Sequence, residues 1–288
     1  MTVTKAEAYI EASYKKTKEI EKFNETDSSL NVGACGKLLR KIDSVNYPIQ
    51  CTEETVQSVK NIQLNNDDLF LISFPQSGVK LLKDIILQLF GLKNEDKYRF
   101  PTVEYLGSSV INIYPSPRLL TTHLNYNLCP KVNNCKVILL IRNPKDVVAS
   151  MFKHRLDNST TNFENYYTAF INGETEFGDY FKHLKSFINL AEEKNILLLT
   201  YEQTAYDIVG TTMKLGKFLN LHEKISDAKN LFKIVEEVTL QNEININFSV
   251  KKWKEYFNEE QSLNIDKKFN FSFKDTPFEH IFDKEMKW

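Results

Sequence analysis

The sequence between residues 68 and 82 combines a strand pattern with a loop that could bind an anion. An apolar stretch, Leu69 to Phe74, is interrupted by Pro75 and Gly78 and is followed by apolar residues at helical spacing as far as Phe90. A strand, a short loop and a helix bring the free N–H groups and the positive dipole end of the helix to the loop. The pattern predicts an anion site, although any strand-to-helix turn of an α/β protein shares it.

A second segment places a guanidinium and a hydroxyl at the end of another strand. The apolar run 136–141 predicts a buried strand, and Arg142, Pro144 and Ser150 follow it. Pro144 suits the first turn of a helix, which puts Ser150 two turns into that helix. Open α/β sheets bind ligands at this edge, and arginine suits phosphate recognition.

A third segment supplies a candidate base. The stretch 115–124 contains a short apolar run that ends in His123. The unperturbed pKa of histidine lies near neutral pH, so this side chain suits general acid–base chemistry. The other histidines of the chain lack this setting at a strand end; they are His154, His183, His222 and His280.

Together these segments resemble the cytosolic sulfotransferase family, whose members transfer a sulfuryl group from 3′-phosphoadenosine 5′-phosphosulfate (PAPS) to a hydroxyl or amine. The family's YPKSGTTW loop corresponds to 74–81, and its PSPRLLKTHLP stretch to 115–125. Its RNxKDxxVSxYH stretch corresponds to 142–154. Tyr201-Glu202 after a late apolar run, and the Trp-Lys-x-x-Phe pattern of 253–257, follow in the family's order.

The resemblance implies a role for each matching residue. His123 would be the catalytic base, and Gln76 takes the place of the loop lysine that polarises the bond to the leaving group. The residues that would contact PAPS are Gln76, Ser77, Gly78, Val79, Lys80, Arg142, Ser150, Tyr201 and Thr239. Tyr201 could equally be a core tyrosine at a strand end.

Departures from the family pattern concern the charges that would meet the co-substrate. Gln76 can donate a hydrogen bond but carries no positive charge. Lys80 either returns that charge from the first helical turn or faces solvent. The family's C-terminal Arg-Lys-Gly clamp for the 3′-phosphate is replaced by 246–248, Ile-Asn-Phe, with Lys251 and Lys252 nearby but out of register.

The predicted acceptor pocket is apolar and aromatic, which suits a phenol, a sterol or a similar lipophilic alcohol. Its candidate lining residues, each of which could equally belong to the core, are Tyr47, Phe74, Tyr105, Met151 and Phe152. The stretch 163–192 has helical periodicity and many aromatic residues, which favours core packing over a ligand box.

Length and composition indicate one globular domain over 1–288. The strand and helix patterns predict an α/β fold with a central, mainly parallel sheet flanked by helices. The start of the chain is rich in lysine and glutamate, which makes residues 1–30 a possible loosely attached helix or arm. The 288 residues are 42% hydrophobic and 26% charged, with a net charge of −1. That charge argues against nucleic acid or an anionic membrane as a main partner. Four cysteines without a CxxC pattern predict free thiols, no metal site and a cytoplasmic location.

Two hypotheses from different classes follow. The first is a PAPS-dependent sulfotransferase that acts on a small lipophilic acceptor, and the second is a catalytically impaired protein of the same fold that binds a small molecule. A kinase-type P-loop protein is a distant third, because the loop lacks GxxxxGK[ST]. The family's dimer motif KxxxTVxxxE is broken from Lys254 onward, so the sequence does not support a dimer.

Overall fold

The computed structural model describes residues 29–33, 38–92, 100–154, 161–242 and 250–288. The described chain begins with a small antiparallel sheet that the sequence analysis did not predict. Its strands are β1 (Leu30–Val32), β2 (Leu38–Ile42) and β3 (Val45–Pro48), with β2 in the middle.

A four-stranded parallel sheet forms the centre of the fold. Its strands are β4 (Leu69–Ser73), β5 (Leu119–Thr122), β6 (Lys136–Ile141) and β7 (Ile196–Thr200), in the order β5-β4-β6-β7. The chain leaves β4 toward β5 on one side and returns to β6 on the other side. This reversal of direction opens a crevice at the carboxyl ends of the strands, where α/β sheets bind ligands. The predicted fold class is confirmed.

The central strands are buried on both faces, which explains their unbroken apolar runs. Phe70 and Ile72 of β4 pack into one core, whereas Leu69 and Leu71 pack into the other. The helices that cover these faces are α1 (Glu53–Ser58), α2 (Val79–Leu89), α3 (Val103–Ile111), α4 (Pro144–Lys153), α5 (Phe163–Asn172), α6 (Tyr180–Lys185), α7 (Tyr201–Tyr206), α8 (Ile208–Phe218), α9 (His222–Ser226), α10 (Ala228–Gln241) and α11 (Glu259–Phe273).

The aromatic stretch 163–192 is not one helical run. Gly173, with φ of 74°, ends α5 in the left-handed conformation, and Asp179 caps the start of α6 with its carboxylate. The intervening loop carries Glu176 and Phe177 to the functional site. Most of the aromatic side chains do pack in the core, as predicted, and Tyr166, Tyr180 and Phe187 are almost fully buried.

No helix in the described ranges is long and apolar enough to cross a membrane. In the same part of the chain, no group of three or more histidine, cysteine or acidic residues could hold a metal ion. The single-domain boundaries, the cytoplasmic location, the absence of a nucleic-acid partner and the absence of a dimer stay predictions.

Candidate active site

The loop between β4 and α2 is shaped by two residues with positive φ. Gln76 has φ of 61° and Gly78 has φ of 94°, and Gly78 is the N-cap of α2. A Cβ atom on Gly78 would lie 2.2 Å from Cδ2 of Tyr201, so the tyrosine ring packs directly against the glycine. Only glycine fits here, because both the backbone conformation and the contact with the ring exclude a side chain.

Arg142 joins this loop from the end of β6. Its guanidinium carbon lies 4.2 Å from the centre of the Tyr201 ring, and its Nη1 donates to the carbonyl oxygen of Gln76 at 2.6 Å. Arg142 is 3% exposed, so its positive charge is placed at the crevice and largely shielded from water. Burial of this kind strengthens the attraction for an anion.

Ser150 reaches the same place from the second turn of α4. Its hydroxyl donates to Oε1 of Gln76 at 3.2 Å. Ser77 lies beside Gln76 and is fully buried, and its hydroxyl has no hydrogen-bond partner among the described residues. A buried hydroxyl in this state suits an anionic oxygen, because burying a polar group without a partner costs free energy. The structure therefore brings together Gln76, Ser77, Gly78, Arg142, Ser150 and Tyr201, and the residues of this set fit a phosphorylated ligand.

His123 lies at the end of β5, next to the loop. Its Nδ1 is 2.9 Å from the carbonyl oxygen of Ser73, which can only accept a hydrogen bond. The proton of the neutral ring is therefore on Nδ1, and Nε2 carries the lone pair. Burial lowers the pKa of His123 to about 4, although the hydrogen bond to Ser73 opposes this shift. The ring is consequently neutral at physiological pH, and its Nε2 is unprotonated.

A buried carboxylate holds the backbone of His123. Oε1 of Glu104 accepts the His123 N–H at 2.9 Å, and Oε2 accepts the Thr122 hydroxyl at 2.9 Å. Glu104 is fully buried, and burial raises its pKa to about 7. Glu104 thus holds the backbone of His123 in place, and no motif in the sequence singled it out.

A cavity of about 200 Å³ opens beside His123 and Gln76. The other residues that line it are Pro48, Pro75, Tyr105, Met151, His154, Glu176 and Phe177. Tyr105 and Met151 were predicted pocket residues, whereas the remainder were not. His154 and Glu176 make this lining more polar than the sequence analysis expected.

Three of the predicted pocket residues lie outside the cavity lining. Tyr47 is buried against Phe177, at 5.5 Å between ring centres, and so stands behind the wall of the cavity. Phe74 packs edge-on against Phe170, Tyr180 and His183. Phe152 belongs to an aromatic cluster with Phe163, Tyr166 and Tyr256. The sequence left open whether these three residues line the pocket or belong to the core. In the structure they pack in the core.

Three further residues predicted to contact PAPS make other contacts in the structure. The ammonium of Lys80 is 3.2 Å from Asp84 and 2.6 Å from Oδ1 of Asn242, on an exposed side chain. Val79 starts α2 and packs against the core. The hydroxyl of Thr239 donates to the carbonyl oxygen of Val235 in its own helix at 2.7 Å. Their roles toward PAPS stay predictions, and the clamp position 246–248 lies outside the described residues.

A parallel α/β sheet that gathers an anion loop, a guanidinium and a neutral histidine at its strand ends is typical of enzymes that transfer groups from phosphorylated donors. The sulfotransferase domain family matches residues 66–277, and the chain belongs to this family. The family recognised from the sequence motifs is thus confirmed.

Curated relatives cover most of the chain. Mouse sulfotransferase 6B1 is 27% identical over 276 residues, which cover 87% of this chain and 88% of the relative. Human sulfotransferase 2A1 is 30% identical over 261 residues, covering 78% and 91%. The amine sulfotransferase of Oryctolagus cuniculus is 29% identical over 268 residues, covering 79% and 88%.

Solved structures share the fold. Mouse sulfotransferase SULT7A1 complexed with PAP has a TM-score of 0.73 at 23% identity, covering 85% of this chain and 98% of that one. Retinol dehydratase in complex with androsterone and the inactive cofactor PAP has a TM-score of 0.68 at 20% identity, covering 91% and 95%.

Proposed function

We propose that this protein transfers a sulfuryl group from PAPS to the hydroxyl or amine of a small acceptor bound in the cavity beside His123. The observation that carries the proposal is the ring of His123, whose Nδ1 is held by Ser73 while the ring lines the cavity. Nε2 is then the basic atom available to an acceptor. The family and the fold support the enzyme, and they give no support to an impaired binding protein.

PAPS supplies the sulfuryl group. Nε2 of His123 takes the proton of the acceptor as the acceptor oxygen or nitrogen bonds to sulfur. The bond between sulfur and the 5′-phosphate oxygen breaks, so the products are the sulfated acceptor and 3′-phosphoadenosine 5′-phosphate. The N–H groups at the start of α2 and the Ser77 hydroxyl would hold the 5′-phosphate end, and Arg142 and Ser150 the 3′-phosphate.

The acceptor is a small molecule with an apolar body and a polar reacting end. Tyr105, Met151 and Phe177 supply apolar surface, and Glu176 and His154 add polar groups to the same wall. Hydroxyl and amine acceptors both suit this mixture. Transfer of radiolabelled sulfate from PAPS to matched panels of phenols and amines would test the proposal, and no transfer to any member would overturn it.

Arg142→Ala should weaken the binding of 3′-phosphoadenosine 5′-phosphate by about 1.5–3 kcal/mol, the range for hydrogen bonds to charged groups. Isothermal titration calorimetry of the wild type and the variant measures the change. Arg142→Lys is the matched control, because it keeps the charge and loses the planar fork, and an intermediate affinity is expected. Unchanged affinity in Arg142→Ala would contradict this placement of the phosphate.

Gln76→Lys should raise the rate of transfer to a simple phenol by about ten-fold or more, because it restores a charged donor at the leaving oxygen. The contacts of the Lys80 ammonium with Asp84 and Asn242 support a loop that lacks this charge. Single-turnover rates separate this effect from nucleotide binding. A large loss of transfer in Lys80→Ala would instead show that Lys80 already provides the charge.

A further inference from the structure

A second cavity, of about 90 Å³, lies next to the nucleotide residues. Arg142 and Ser150 form part of its wall, together with Lys153 from α4 and Lys252 from the turn Lys252–Glu255. Its volume suits one phosphate-sized group and not a whole nucleotide. Three cationic side chains therefore border a space that adjoins the predicted 3′-phosphate contacts. Two acidic residues, Asp146 and Glu255, belong to the same lining.

Helix α4 presents one side of this cavity. Asp146, Ser150 and Lys153 are separated by four and three residues, so they lie along one face of the helix. Lys153 is exposed and belongs to the last turn, one turn beyond Ser150. Lys153 and Ser150 therefore line the same cavity from successive turns of one helix.

The opposite side is a turn that Asp146 fixes in place. The Asp146 carboxylate accepts the N–H of Lys251 at 2.8 Å and the N–H of Trp253 at 3.1 Å. Trp253 is fully buried, so the backbone on both sides of Lys252 is anchored. The negative charge of Asp146 is engaged by these N–H groups and by Asn143, whose Nδ2 lies 3.3 Å away.

Lys252 forms an ion pair with Glu255 that an anionic ligand could replace. Its ammonium is 3.0 Å from Oε1 of Glu255, and both side chains are at least half exposed. Exposed ion pairs contribute little to stability, so this pair can open or be shared with an anion at small cost.

The sequence supplies an independent reason to look for cations here. The family's Arg-Lys-Gly clamp should fall at 246–248, and residues 243–249 contain no lysine or arginine. A phosphate monoester carries a charge of about −1.5 to −2 at neutral pH. Arg142 alone would leave part of that charge without a partner.

We propose that Lys153 and Lys252 bind the 3′-phosphate of the nucleotide from two sides, beside Arg142 and Ser150, in place of the family's clamp. This assignment rests on the proposed function and names the residues that complete its nucleotide site. It also explains how a chain with an altered clamp segment retains a site for a doubly phosphorylated nucleoside.

The test compares two nucleotides that differ only in the 3′-phosphate. Calorimetric titration of the full chain with 3′-phosphoadenosine 5′-phosphate and with adenosine 5′-phosphate should separate the effect of Lys153→Ala/Lys252→Ala from general electrostatics. We expect about five-fold weaker binding of the first nucleotide per lysine removed, and affinity for the second nucleotide within about two-fold of the wild type. The salt dependence of binding should also become shallower.

Lys254→Ala is the matched control, because Lys254 is exposed, lies two residues from Lys252 and does not line the cavity. Glu255→Gln gives a second test in the opposite direction, since it frees Lys252 and should tighten binding of 3′-phosphoadenosine 5′-phosphate. Both lysines are exposed, and thermal unfolding of each variant verifies that the fold is kept.

The outcomes separate this assignment from the proposed function. A wild-type protein that binds neither nucleotide would overturn the proposed function and this assignment with it. A wild type that binds 3′-phosphoadenosine 5′-phosphate, with a double variant of equal affinity, would overturn only the assignment. Equal losses for both nucleotides would also overturn it, because the lysines would then act as general surface charge.

Discussion

His123→Ala is expected to lower the rate of sulfuryl transfer by about 10²–10⁴-fold, the usual contribution of a positioned general base. Affinity for 3′-phosphoadenosine 5′-phosphate should stay within about three-fold, because the ring meets the acceptor and not the phosphates of the donor. The structure supports this separation. The ring is oriented by Ser73 and lines the larger cavity, whereas Arg142 and Ser150 line the smaller one.

Two further variants sharpen this test. His123→Asn should behave like His123→Ala, since an amide can hold the acceptor but cannot take its proton. His154→Ala is the matched control, because His154 lines the same cavity from the exposed end of α4. A fully active His123→Ala protein would exclude His123 as the base, and a comparable loss in His154→Ala would show that the effect is not specific to His123.

Arg118→Ala should lower the free energy of unfolding by about 3–5 kcal/mol, because it leaves a buried carboxylate without its partner. Asp68 and Arg118 are almost fully buried at the amino ends of β4 and β5. The Nε of Arg118 donates to Oδ2 of Asp68 at 3.1 Å, and its Nη1 donates to the carbonyl oxygen of Ile111 at 3.0 Å. The pair fixes the register of the two strands whose opposite ends carry Gln76 and His123.

Urea unfolding followed by circular dichroism measures this effect. The double variant Asp68→Leu/Arg118→Met is the control, since replacing both charges by apolar groups should restore much of the lost stability. A loss below about 1 kcal/mol in Arg118→Ala would show that the ion pair is not a main support of the sheet.

The stabilisation by the Asp68–Arg118 ion pair should also depend on pH. Burial alone would raise the pKa of Asp68, but hydrogen bonds from Arg118, Asn65 and Ser116 bring it below its ordinary value. A carboxyl group with a depressed pKa stabilises the fold above its unfolded pKa of about 3.9 and loses that contribution as the pH falls lower. The difference in the free energy of unfolding between the wild type and Arg118→Ala should therefore become smaller as the pH falls below about 3.9.

The local sequence determined the elements that carry the site. The apolar run 136–141 is a strand with the predicted bounds, and the late apolar run before Tyr201 is the strand Ile196–Thr200. Strand β4 and helix α2 each end one residue before the predicted limit, and α4 begins at Pro144. Such patterns succeed because apolar residues, proline and glycine constrain the backbone of their own neighbours. The motifs also indicated several residues that lie together at the strand ends, among them Gln76, Arg142 and Ser150.

Only the tertiary structure decided which side chains face the cavities. The contact between Arg142 and Gln76 joins residues 66 positions apart, and Lys251 meets Asp146 across 105 positions. Tyr105 lines the cavity beside His123 whereas Phe152 joins the core, although both are aromatic residues in helices. Spacing along a helix identifies a buried face but not what covers it, because burial is set by elements distant in sequence. For the same reason, only the tertiary structure shows that Lys252 and Arg142 line the same cavity.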